Sequence, residues 1–158
     1  MDKSTLGEWM SLLGKAENDL AVQELVLASG KELQIDDQLG FIELTENGIS
    51  VALKQGGFLK GLPKESDKNL YYVYGLHFHS AGHEGHNEYQ GALIDDIKFR
   101  DSEREVQNKL TRPSKQGGGN FSTLLKRSLQ KWVECSFENR RLRFTFSSDG
   151  ELELVTIF

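Results

Sequence analysis

The chain carries one cysteine, Cys135, and two prolines in 158 residues. A single thiol excludes an internal disulfide and every multi-cysteine metal site. So few prolines, beside 16 glycines, exclude collagen-like and linker-rich classes. Long apolar runs are missing as well, and none approaches the roughly 18 to 20 residues of a membrane span. The start, Met1-Asp2-Lys3-Ser4-Thr5, has neither the basic opening nor the apolar stretch of a signal peptide. A soluble, cytoplasmic protein is the expectation. Also lacking are a Gly-x-Ser-x-Gly elbow, a Gly-x-x-x-x-Gly-Lys phosphate loop and a Gly-x-Gly-x-x-Gly turn. No catalytic spacing stands out, and the chain reads as a non-enzyme.

What is present is ordinary globular material, 37% hydrophobic and 27% charged. Its length suits a single domain, 1–158, burying about two-thirds of its unfolded surface. The net charge of −5 hides an asymmetry. Residues 1–97 hold 16 acids and 7 bases, a balance of −9, whereas residues 98–158 hold 8 acids and 12 bases, a balance of +4. Such a split marks two surfaces with different partners or merely two solvated faces.

Thr5-Leu6-Gly7-Glu8 has capping-box spacing, and Leu6, Trp9, Met10 and Leu13 then follow a helical period up to Gly14. A second helix is expected from an Asn18 cap to Gly30, with Val22, Leu25 and Val26 inward. Asn47-Gly48 between Phe41–Thr45 and Ile49–Leu53 predicts a hairpin. Leu70–His79 reads as a long aromatic strand. The second half replays this order: a capping box at Ser102–Glu105, Pro113 as a stop, then strands at Trp132–Phe137, Leu142–Phe146 and Leu152–Phe158. Gly117-Gly118-Gly119 reads as a flexible loop. The expected fold is α+β, an antiparallel β-sheet with helices on one face. Two tandem helix-then-meander halves, 15–91 and 92–158, are expected within it.

All four histidines fall between His77 and His86. His77 and His79 share one face of the predicted strand, and His83 and His86 lie in the loop beyond. With Glu84 and Glu88 they are candidate ligands for Zn or Ni, although the spacing matches no standard zinc motif. The bland alternative is two strand histidines and a polar turn. Cys135 sits mid-strand beside Glu134, where a carboxylate raises a thiol's pKa and leaves it inert. Lys126, Arg127, Lys131, Arg140, Arg141 and Arg143 near Trp132 and Phe137 resemble a single-strand nucleic-acid surface, but the acidic whole argues against nucleic acid. More suggestive is the acidic N-terminal portion. Asp36, Asp37, Glu43, Glu46, Glu84, Glu88, Asp95 and Asp96, with Tyr71, Tyr72, Tyr74 and Tyr89 as aromatic anchors, are candidates for binding a basic protein partner. A homo-oligomer through an exposed edge strand stays open.

Gly82-His83-Glu84-Gly85-His86-Asn87-Glu88-Tyr89-Gln90-Gly91-Ala92-Leu93 resembles the signature of a family of small bacterial, immunity-like proteins. In that family a strand ends in a Gly-rich loop followed by Tyr-x-Gly-x-Leu-Pro. A short apolar strand and a Ser-capped helix ending near Leu-Gly-x-Pro come next. Ile97-Lys98-Phe99, Ser102, Val106, Leu110 and Pro113 fit that order, with Ile94 in place of the proline and Thr111 in place of the glycine. The resemblance spans roughly residues 40–158. The helix-plus-meander plan is also similar to the tandem architecture of the β-lactamase inhibitor proteins, whose concave sheet binds another protein. These resemblances imply an immunity (antitoxin-like) protein that neutralises a cognate protein toxin by binding and occluding it, and the acidic surface fits a basic nuclease as that toxin.

Overall fold

The computed structural model describes residues 5–158. Helix α1, Leu6–Met10, opens with the expected capping box, in which Thr5 accepts from the Glu8 N–H and Glu8 reaches back to the Thr5 N–H. Helix α2, Leu20–Ser29, is capped by Asp19 one residue later than expected, and Gly30 closes it with φ 71°. Strands β1 (Gln34–Asp36), β2 (Leu39–Leu44), β3 (Ile49–Gln55) and β4 (Tyr71–His79) follow. Helix α3, Glu103–Lys109, has the second capping box, Ser102 with Glu105. Next are β5 (Ser114–Gly117), the short pair β6 (Phe121–Ser122) and β7 (Arg127–Ser128), then β8 (Trp132–Phe137), β9 (Arg140–Phe146) and β10 (Leu152–Ile157).

Eight strands form one antiparallel sheet in the order β1-β2-β3-β4-β10-β9-β8-β5, and β6 pairs β7 separately. The α+β expectation holds at that level. Residues 97–99, expected as a short strand, are irregular, and Ile97 alone is buried there.

Because side chains alternate along a strand, cross-strand partners share a face. One apolar row runs Ile42, Val51, Leu76, Ile157, Leu142, Cys135 across six strands. The next row is Leu44, Ile49, Phe78, Val155, Phe144, Val133. Leu6, Trp9, Val22, Leu25 and Val106 from the three helices join those rows in one core. Trp9 meets Phe78 edge-on at 6.5 Å. This is the strict alternation of the sequence turned into a two-row hydrophobic floor.

Hairpin geometry sets the register. The Asn47-Gly48 hairpin forms, but through a four-residue 45–48 loop in which only Gly48 takes positive φ. Leu44 therefore pairs Ile49, and Glu43 falls opposite Ser50. The two-residue turn with both φ positive occurs instead at Glu138-Asn139, where Phe137 pairs Arg140. The glycine triad is likewise not a free loop. Gly117 belongs to β5, and a Cβ on Gly118 would overlap the Gln130 carbonyl, so the chain crosses tightly there.

Candidate functional site

Opposite the apolar floor, the offset-by-one positions align as a polar row across seven strands: Glu43, Ser50, His77, Thr156, Arg143, Glu134, Lys115. Two clusters grow from this row, one at each half of the sheet.

The first gathers the histidines. β4 ends at His79, and Gly82, Glu84 and Gly85, all with positive φ, curl the 82–86 segment back over the sheet. Segment 87–89 then runs so close to Gly48 that any Cβ there would overlap its backbone. Asn87 N–H donates to Thr45 O at 2.8 Å and Tyr89 N–H to His79 O at 2.9 Å. Ser50 lies at the centre. Its hydroxyl donates to Glu43 Oε2 at 2.6 Å, with His79 Nε2 at 2.8 Å and His86 Nε2 at 3.2 Å. His86 Nε2 also meets Glu43 Oε2 at 2.8 Å, and its Nδ1 faces the His83 carbonyl at 3.2 Å. The His79 and His86 rings stack at 3.8 Å, nearly parallel. His79 Nδ1 meets His83 Nδ1 at 2.8 Å, and the other nitrogen of His83 stands 3.8 Å from Glu153 Oε1.

Burial, then the neighbouring His86, His83 and His77 rings, push the His79 pKa down to about 3. His79 is a neutral ring at ordinary pH. Burial lowers His77 as well, and its Nδ1 bonds Thr156 Oγ1 at 3.0 Å.

Serine, histidine and glutamate together have the residue types of a hydrolytic triad, but they are wired otherwise. Nucleophile activation needs the serine proton directed to an imidazole whose far nitrogen is held by a carboxylate. Here the Ser50 proton goes to Glu43, and the far nitrogen of His79 meets another histidine. Ser50 is 4% exposed.

The second cluster surrounds Glu134, 2% exposed. Arg143 contributes Nε and a terminal nitrogen at 2.9 and 2.8 Å to its Oε2. Lys115 stands 3.4 Å and Arg141 4.0 Å from its Oε1. One buried acid thus gathers three cations on the sheet face. Arg143 lies 4.3 Å over Trp132 and Arg141 4.1 Å over Phe158, within cation–π range.

Beside this cluster residues 118–131 fold into a hairpin finger around β6 and β7. Phe121, Leu124, Leu125 and Leu129 on it are exposed, half of the eight exposed large hydrophobics among the described residues. It carries Lys126, Arg127 and Lys131 and no acid. Lys131 pairs Glu103 at 2.8 Å.

The acidic and aromatic candidates do not converge. Asp36 and Asp37 stand at the β1–β2 turn, the sheet end away from the histidines. Glu84 and Glu88 lie in the loop after β4. Asp95 accepts from the Thr111 N–H and hydroxyl and pairs Arg112, while Asp96 pairs Lys98. Tyr72 and Tyr89 are buried and present no ring to a partner. Tyr89 packs on Phe78 at 4.7 Å, and burial, then Glu8, push its phenol up to about 12. Tyr74 is half-buried. Of the histidines, His79, His83 and His86 come together while His77 turns to Thr156. The ligand atoms of His79, His83 and Glu84 all lie within 4.8 Å of one another. Of the expected basic surface, Arg143 reaches Trp132 and Arg141 stacks on Phe158, whereas Phe137 takes Arg112 at 5.3 Å. Cys135 is buried, and burial pushes its thiol up.

Ser50 and Glu153 escaped the sequence reading, which took Glu43 only as part of an acidic surface and Glu134 only as the neighbour of Cys135. The alternation in β3 and β8 contained the signal, but the partner of each residue depends on a register that only the loop lengths fix. No family model, no curated protein and no solved structure matches this chain.

Proposed function

We propose that this chain is a non-catalytic, immunity-type protein of the cytoplasm that occludes a cognate protein toxin, using the 118–131 finger and the adjoining sheet face. The observation that carries the reading is the concentration of Phe121, Leu124, Leu125 and Leu129 on one exposed hairpin. Clustered exposed apolar side chains cost solubility and mark surfaces that meet a partner. A projecting finger fits a cleft, and Trp and Arg beside it are the residue types that anchor interfaces.

Charge complementarity chooses the occupant. The finger and the Lys115–Arg141–Arg143 cluster are cationic, so the fitting partner has an apolar cleft rimmed by carboxylates, not the basic nuclease that the overall charge favours. The acids that pointed to a basic partner are dispersed over three places. Strand order supports the two-half plan as part of this reading. Within 15–91 helix α2 precedes β1–β4, within 92–158 helix α3 precedes β5–β10, and the last strands of the halves, β4 and β10, pair, while α1 lies outside both halves.

The reading requires a toxin-domain gene immediately upstream, and the test is growth rescue by co-expression with that domain. Wild-type protein rescues, and the Leu124→Asp, Leu125→Asp double variant does not, while its stability shifts by less than about 0.5 kcal/mol per site. Absence of rescue by the wild type, or full rescue by the double variant, overturns the proposal.

A further inference from the structure

We infer that His79, His83 and Glu84 form a binding site for one divalent transition-metal ion of the zinc class, which clamps the 82–86 loop onto the end of β4. None of the three ligands belongs to the finger, whose Gln130 reaches the site only by donating to Glu153.

Two imidazole nitrogens and a carboxylate oxygen, all within 4.8 Å, are the donor set that zinc takes in three-ligand sites, the remaining position being left to solvent. The facing nitrogens are the two Nδ1 atoms, 2.8 Å apart. Tetrahedral ligation with metal–nitrogen distances near 2.0–2.1 Å needs a separation of about 3.3 Å. An opening of about half an ångström replaces the direct contact by a shared ion. Gly82 and Gly85, both with positive φ, bracket the moving residues.

The groups behind the ligands strengthen the case. Metal-binding imidazoles are held by a hydrogen bond from their other nitrogen to a carboxylate, directly or through a relay. His79 Nε2 stands on Ser50 Oγ, whose own proton goes to Glu43. With the proton of the serine committed, the His79 Nε2–H must donate, and its Nδ1 lone pair faces outward to His83. His83 is then the donor of the Nδ1–Nδ1 contact. When a metal enters, its proton moves to Nε2, where Glu153 stands 3.8 Å away. A bulge in β10 aims Glu153 here, because Leu152 and Leu154 pair Phe146 and Thr145 with one residue between them. Both candidate ligand rings therefore have a carboxylate behind them. His77 and His86 do not take part: one is bound to Thr156 and the other fills the space between Glu43 and its own loop.

The test is calorimetric titration of the tag-free full chain, stripped with chelator, with zinc chloride, and cobalt absorption as a second readout of coordination. One ion per chain is expected, with a tetrahedral cobalt spectrum. His83→Ala and Glu84→Gln, both at exposed or half-exposed positions that keep the fold, abolish or strongly weaken binding. Ser50→Ala, which touches no metal, weakens it about 10–100-fold. His77→Ala leaves it unchanged. Substoichiometric binding, binding that survives His83→Ala, or equal losses from His77→Ala and His83→Ala would overturn the inference.

Discussion

Arg143 and Glu134 face each other across β9 and β8, and both guanidinium contacts at 2.8 and 2.9 Å converge on Oε2 of a carboxylate that is 2% exposed. Lys115 and Arg141 cover the other oxygen. A buried carboxylate survives only when its lone pairs are occupied, and here three cations from two strands, Lys115 on β5 and Arg141 and Arg143 on β9, occupy them. Glu134 is thus the organiser of the cationic face, although it never meets solvent.

Acid titration should reveal that role. Burial pushes the Glu134 carboxyl up, but the Arg143 hydrogen bond and charge, then Lys115, hold it below the usual carboxylate range. A carboxyl depressed in the folded state contributes stability above its unfolded pKa of about 4.3, lost as pH falls through the folded value. Glu134→Gln is expected to cost about 1–3 kcal/mol at pH 7, with the difference from wild type narrowing below about pH 4. Urea denaturation at stepped pH measures it. A difference independent of pH would show that Glu134 acts through packing alone.

Gly48→Ala tests the join between the hairpin and the histidine loop. Gly48 has φ 72°, and a Cβ there would overlap the backbone of 87–89. The left-handed conformation alone costs about 1–2 kcal/mol for an L-residue. The overlap adds to that and pushes the 87–89 segment off Thr45 and His79. Gly30→Ala, at φ 71° with open space around it, should incur only the first cost. Equal melting shifts for the two variants would contradict the close approach.

Much of this fold is legible in the residue pattern, and the misses share one cause. Capping boxes at Thr5 and Ser102, the alternating strands and the single buried thiol all follow from local chemistry. Local chemistry does not say which strand lies beside which. The four-residue loop at 45–48 shifts pairing by two residues from a tight Asn-Gly turn, and that shift places Ser50 against Glu43 instead of Thr45. The proximity of His79 and His83 is visible in their spacing. The Ser50–Glu43 relay and Glu153 are not, because they arrive from β2, β3 and β10. Strand β1, with all three residues exposed, had no apolar alternation to betray it.

Ser102→Ala should destabilise the chain by about 1 kcal/mol, the usual cost of losing an N-cap acceptor. Ser102 Oγ accepts from the Glu105 N–H at 3.1 Å, and Glu105 answers at the Ser102 N–H. Val106, fully buried one position on, depends on this seven-residue helix holding its place. Thr substitution should retain most of the stability. If Ser102→Thr and Ser102→Ala lose equal stability in thermal melts, the cap is not what holds α3.

The sharpest contrast lies between two apolar side chains on opposite sides of the burial scale. Phe144 is fully buried in the second apolar row, flanked by Val155 and Val133. Phe144→Ala removes a ring from the floor on which the helices rest, and should cost about 3–5 kcal/mol. Leu124, 89% exposed at the finger tip, touches little that folding would bury. Leu124→Ala should change stability by less than about 0.5 kcal/mol, and any phenotype it has must come from binding. Guanidinium denaturation of both variants measures the pair. A destabilisation by Leu124→Ala comparable to that of Phe144→Ala would mean that the finger packs on its own sheet in solution, and would remove it as a surface for a partner.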